Sequence, residues 1–158
     1  MSYWLVATYK INEVKRVESN LLNQSFDYYL PKIVIKKSNL KPKEEAMFPG
    51  YIFINTSIEN YASVKYTKGI RNIIKFGENI PYMTNDEIKS IDVIEKSSRS
   101  EPLTPQIQIG QEVDIIGGSL KGNIAKICSL PSEKRVGILL HLLGSTKKID
   151  IPEKDIAY

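Results

Sequence analysis

The sequence predicts an α+β fold: an N-terminal antiparallel sheet flanked by helices, a linker, and a small five-stranded β-barrel. Three observations predict it. Over residues 1–96, runs of strand period alternate with runs of helical period in the order β-α-β-β-α-β-α. A polar stretch without periodicity, "SSRSEPLTPQIQ", follows at residues 97–108 and carries two prolines. Residues 109–158 then hold short β-rich runs punctuated by glycine and proline, the pattern of a small barrel. The expected organisation is a domain over 1–96, a linker over 97–108 and a second domain over 109–158.

Each element has a local reason. Tyr3–Tyr9, "YWLVATY", is aromatic and β-branched and reads as a strand. Asn12 is a good helix cap, and Val14, Val17 and Leu21 follow at helical spacing. "DYYLPKIVI" reads as a strand interrupted by Pro31, and the polar "KKSNLKPKEEA" as a hairpin tip or loop. "FPGYIFI", Phe48–Ile54, is the next strand. Ser57 can cap a short helix carrying Ile58, Tyr61, Ala62 and Val64, and "IRNIIKF" is a further strand. Thr84 and Glu87 form a capping box, with Met83 and Ile88 as a staple, ahead of Ile88, Ile91 and Ile94 on one helix face. In the second domain "EVDII", "NIAKICSL", "RVGILLHLL", "KKIDI" and "DIAY" read as the barrel strands.

Composition narrows the function. The chain has 158 residues, 42% hydrophobic and 25% charged, within the globular range. Its formal charge is +4, and the surplus is local: Lys10–Lys75 holds twelve Lys/Arg against six Asp/Glu. A polyanion partner is therefore permitted. A single cysteine, Cys128, excludes an intramolecular disulfide and a thiolate metal cluster. No run reaches the length of a membrane span and no signal-peptide pattern opens the chain, so a cytoplasmic monomer without membrane contact is expected. There is no phosphate loop and no histidine–acid pair, and the lone His141 sits among leucines. No catalytic residue, metal ligand or cofactor is expected, and an enzyme is excluded.

"FPGYIFI" poses a problem that composition leaves open. Tyr51 and Phe53 alternate with Ile52 and Ile54, so both faces of one strand are apolar. Either both are core or the aromatic face is an interface. This stretch is also where the chain resembles the NusG family of transcription elongation factors, and within it the RfaH-like specialised paralogs. "KGIRNIIKFG" falls in the family's order, and "VDIIGGSLKGNIAKI", Val113–Ile127, is similar to a KOW motif, with Gly118, Leu120 and Gly122 in its turn. Ala125 stands where many members have glycine. The His-Thr-Thr element of RfaH is replaced by Asn60, Tyr61 and Ala62.

The resemblance implies a function and its sites. Tyr51, Phe53, Phe76 and Ala7 would line a cavity that receives the clamp helices of the largest RNA polymerase subunit. Lys10, Lys15, Arg16, Asn20, Asn23, Gln24, Lys68 and Arg71 would face the non-template DNA strand, cations on phosphates and amides on base edges. A solvated helix face explains the same residues. Lys32, Lys36, Lys37, Lys41 and Lys43 are solubilising or reach toward DNA. The KOW barrel would recruit a small-subunit ribosomal protein or Rho through Leu139, Leu140 and Leu142. The alternative is a KOW-type RNA- or ribosome-binding protein without polymerase contact.

RfaH is known for a C-terminal domain that also folds as a helical hairpin. Here the sequence opposes that form. Gly137 and Gly144 would each cost about 1 kcal/mol inside a helix, Ile138, Ile149 and Ile151 are β-branched, and Pro152 stops a helix. The apolar stripe Ile124, Ala125, Ile127 and Cys128 favours it. The expected form is the barrel.

Overall fold

The computed structural model describes residues 3–104, 120–144 and the backbone of 148–150. Two compact units emerge. Of the described residues, the first takes in 3–30, Gly50–Thr84 and, from late in the chain, Lys148–Asp150; the second takes in Pro31–Pro49, 85–104 and 120–144. They do not coincide with a division into 1–96 and 109–158.

The first unit is an antiparallel sheet with helices. Its strands are β1 (Tyr3–Tyr9), β2 (Asp27–Tyr29), β5 (Tyr51–Thr56), β6 (Ile70–Ile73), β7 (Asn79–Met83) and β8 (Lys148–Asp150); β3 (Lys32–Ile35) and β4 (Lys43–Ala46), between β2 and β5 in the chain, belong to the second unit. The order is β2-β5-β1-β7-β8, with β6 also on β1. Ala7 lies opposite Ile52, and Leu5 opposite Ile54. Directly opposed residues share a face. These four are buried in one core with Val17 and Leu21 of α1 (Val14–Asn23) and Tyr61 and Val64 of α2 (Tyr61–Lys65).

Local signals explain the helices, with two adjustments. The expected caps, Asn12 and Ser57, are not used: 3-10 turns, Ile11–Glu13 and Ile58–Asn60, lead into α1 and α2 without a side-chain cap. α1 ends in a tight reversal. Ser25 takes φ +63°, and the N–H groups of Ser25 and Phe26 bond the carbonyls of Leu22 and Leu21 at 2.9 and 3.0 Å. Gly69, φ +99°, lies so close to Val17 that an added Cβ would come within 2.3 Å of its Cγ2.

The second unit holds the hairpin β3 (Lys32–Ile35) and β4 (Lys43–Ala46) with α3 (Asn85–Ser100), α4 (Leu120–Cys128) and α5 (Ser132–Gly144). Pro31 separates β2 from β3, as the sequence suggests, and α3 starts directly after Thr84. It runs past Lys96, because Ile91, Glu95 and Ser98 continue one buried face. The outer edge of β3 is capped by side chains of α3 and by Leu103. Lys32 N–H donates to Glu95 Oε2 and Val34 N–H to Ser98 Oγ, each at 3.0 Å. Leu103 N–H donates to the Val34 carbonyl, and the Leu103 carbonyl accepts from Lys36 N–H, both at 2.9 Å. The expected linker thus begins as structure; its residues 105–108 and the strand "EVDII" lie outside the described residues, as does "DIAY".

The barrel is not shown among the described residues. Residues expected as its second and third strands are α4 and α5. The apolar runs there fit a helix. Ile124, Ile127 and Cys128, then Ile138, Leu139, Leu142 and Leu143, recur at helical spacing, all 3% exposed or less. Most of the expected breakers sit elsewhere: Gly144 is the last helical residue, and Ile149, Ile151 and Pro152 come after it. Gly137 alone remains a glycine inside α5, at an open position where a Cβ would meet nothing within 4 Å. "KKIDI" does supply a strand, but β8 pairs with β7.

Candidate functional site

The register of β1 and β5 decides which side chains share a face. Val6 lies opposite Phe53 and Thr8 opposite Tyr51. Phe53 and Val6 therefore point away from the Ala7–Ile52 core, and both are fully buried. Ala7, expected beside Tyr51 and Phe53, is on the other face, paired with Ile52 and Ile73. Val6 takes its place. Tyr29 joins the aromatic face, its ring centroid 6.4 Å from that of Phe53 at a 43° tilt. Tyr51 is half-buried. Phe76, 38% exposed, stands in a two-residue hairpin turn whose first central residue, Gly77, takes φ +65°.

The expected nucleic-acid residues all lie in the first unit, and several already have partners. Arg16 Nη1 bonds Glu13 Oε1 at 2.7 Å, and Lys10 Nζ is 3.6 Å from the other oxygen. The Arg16 hydrogen bond holds the Glu13 carboxyl below its usual range. Asn20 Nδ2 donates to the Lys68 carbonyl at 3.0 Å, and Gln24 Nε2 to Thr67 Oγ1 at 2.8 Å. These amides staple α1 to the turn before β6. Lys15, Asn23, Lys68 and Arg71 are exposed. A groove of ≈ 690 Å³ brings Lys10 and Arg71 together with Asn12 and Asn72, two amides the sequence reading missed. Tyr9 lines it, its phenol pushed up chiefly by burial.

A second groove, ≈ 780 Å³, lies where α1 ends, lined by uncharged groups including Gln24, Asn55, Ser57 and Asn60. The lysines of the β3–β4 hairpin are exposed, and Lys32 Nζ lies 4.0 Å from Glu44 Oε1.

In the second unit Leu139 and Leu142 are buried and Leu140 is half-buried, so the leucines expected to meet a partner are largely closed to solvent. Sequence reasoning missed Arg135, 1% exposed. Its Nε donates to the Met47 carbonyl and Nη1 to the Leu130 carbonyl, each at 2.7 Å. Nη2 donates to Glu45 Oε1 at 2.9 Å and to the Ala46 carbonyl at 3.2 Å. One planar fork thus ties the start of α5 to the end of β4. Cys128 is buried, and burial pushes its thiol up to about 12, against a smaller lowering by Arg135.

Among the described residues no three His, Cys, Asp or Glu side chains could hold a metal together, and no helix is long and apolar enough to cross a membrane.

Residues 2–92 match the family model described as transcription termination factor NusG. No curated protein matches the chain. A solved structure, described as domain interaction in Thermotoga maritima NusG, is similar at 16% identity and a TM-score of 0.42, covering 70% of this chain and 67% of that one.

Proposed function

Because the chain belongs to the NusG family of transcription elongation factors, a non-enzymatic family, we propose that it is an RfaH-like elongation and antitermination factor. In this reading the Phe53 face of its sheet binds the clamp helices of the largest RNA polymerase subunit. The observation that carries the reading is the second apolar face of β5. Phe53, Val6 and Tyr29 stand on the side away from a core that is already complete with α1 and α2. Aromatic anchors of this kind supply much of the affinity of protein interfaces. A factor bound there holds the clamp closed and shifts the polymerase away from paused states, by differential binding rather than chemistry.

Phe53 is fully buried here, so the face must open before it binds. In this reading the helical α4 and α5 belong to a resting form and are the element that changes. In the active form the C-terminal residues fold as the KOW barrel and present Leu139, Leu140 and Leu142 to a small-subunit ribosomal protein or Rho. Lys10, Lys15, Lys68 and Arg71 hold the non-template strand by its phosphates, a salt-sensitive contact.

Core RNA polymerase pull-down by the purified full chain tests the proposal. Arg135→Ala should raise binding, and adding Phe53→Ala or Tyr51→Ala should remove the gain. Capture of ribosomes or RNA but never polymerase, by either form, would instead identify an RNA- or ribosome-binding protein.

A further inference from the structure

We infer that β8 is a strand latch: its backbone pairing with β7 restrains the chain that follows α5 and so stabilises the helical form of α4 and α5. The inference rests on the reading of those helices as a releasable element.

Backbone geometry carries it. Asn79 spends both its main-chain groups on Phe76, donating to the Phe76 carbonyl at 3.1 Å and accepting from Phe76 N–H at 2.7 Å. Along a strand, N–H and C=O of successive residues point to opposite edges. Ile80 therefore turns both groups toward its register partner, Ile149. Pro81, which has no N–H, falls where β8 needs none. The pair Ile80–Ile149 is thus the one that exchanges two hydrogen bonds, flanked by Asn79–Asp150 and Pro81–Lys148.

The position of β8 in the chain makes this pairing a restraint. Gly144 ends α5 and Lys148 begins β8. The four Cα steps between them span at most about 14 Å. A rearrangement of α5 that carries Gly144 beyond this reach of Lys148 must strip β8 from β7. A barrel strand also needs both of its edges, so the barrel and the β7 pairing exclude one another. When β8 leaves, the main-chain groups of Ile80 lose their partners.

The test is a pair of proline substitutions in the full chain, read by amide hydrogen exchange. Ile149→Pro removes the donor that faces β7. Lys148→Pro, one residue earlier, removes a donor that faces away and carries the same backbone restriction. Ile149→Pro should speed exchange at Ile80 by about tenfold and in α5 by roughly two- to tenfold, the value of one or two net hydrogen bonds. Lys148→Pro should do much less. Fast exchange at Ile80 with α5 unchanged would mean a pairing that latches nothing, and would overturn the inference. Equal effects of the two prolines, or none, would overturn it as well. Exchange needs no polymerase, so the latch stands or falls separately from the proposed function. Under that function, Ile149→Pro should in addition raise polymerase binding.

Discussion

Replacing Arg135 should release α5, and the size of the effect can be worked from its four hydrogen bonds. Arg135→Ala strips donors from the carbonyls of Met47, Leu130 and Ala46 and leaves Glu45 without its partner. Removing one member of a buried ionic network costs about 3–5 kcal/mol. Glu45→Ala is milder. Its side chain is 37% exposed, and Arg135 keeps three carbonyls, so about 1 kcal/mol is expected. Arg135→Lys should fall between, because an ammonium reaches one or two of these acceptors but cannot fork across all four. Hydrogen exchange of α4 and α5 in the full chain is the assay. Opening should rise by roughly two to three orders of magnitude for Arg135→Ala and severalfold for Glu45→Ala, at 1.4 kcal/mol per tenfold. Carbon chemical shifts would show whether the released residues become strand. If Glu45→Ala matched or exceeded Arg135→Ala, the carbonyl contacts would not be what holds α5, and the reasoning would fail.

Further measurements probe other parts of the molecule. Gly69→Ala should lower the melting temperature by several degrees, about 1 kcal/mol or more, because it adds a Cβ at φ +99° against Val17. The Cys128 thiol is raised to about 12, so the native state keeps its proton where the unfolded state loses it; stability should fall as pH rises from about 9 toward 12, and alkylation at pH 8 should be slow unless α4 opens. Lys15→Glu with Arg71→Glu should weaken binding to elongation complexes with an exposed non-template strand, and the deficit should shrink as salt rises; unchanged binding at low salt would remove DNA from the proposal.

The first unit was legible because its signals are local. Two apolar faces around "FPGYIFI", helical spacing at Val14, Val17 and Leu21, and the break at Pro31 all reappear in the structure. Ala7 was misplaced by one residue. Choosing between Val6 and Ala7 requires the register between β1 and β5, and a shift of one residue exchanges the faces of a strand. The C-terminal helices were misread because dense apolar runs such as "GILLHLL" satisfy either period. The missing information was Arg135. Three of its four acceptors are main-chain carbonyls, which no side-chain pattern announces, and a buried arginine is rare enough that sequence alone argues against it. Glu95 and Ser98 were hidden likewise, as polar residues whose backbone partners on β3 no side-chain pattern announces.

Their contact with β3 has a consequence for solubility. A two-stranded hairpin ordinarily offers a bare edge on which a foreign strand can template. Glu95, Ser98 and Leu103 occupy that edge, and none of them belongs to α4 or α5. The protection therefore persists through any departure of the C-terminal helices, when newly uncovered apolar surface would make self-association most dangerous. Ser98→Ala, which nearly keeps the volume but removes the acceptor for Val34 N–H, should leave the resting protein soluble and make the opened one aggregate.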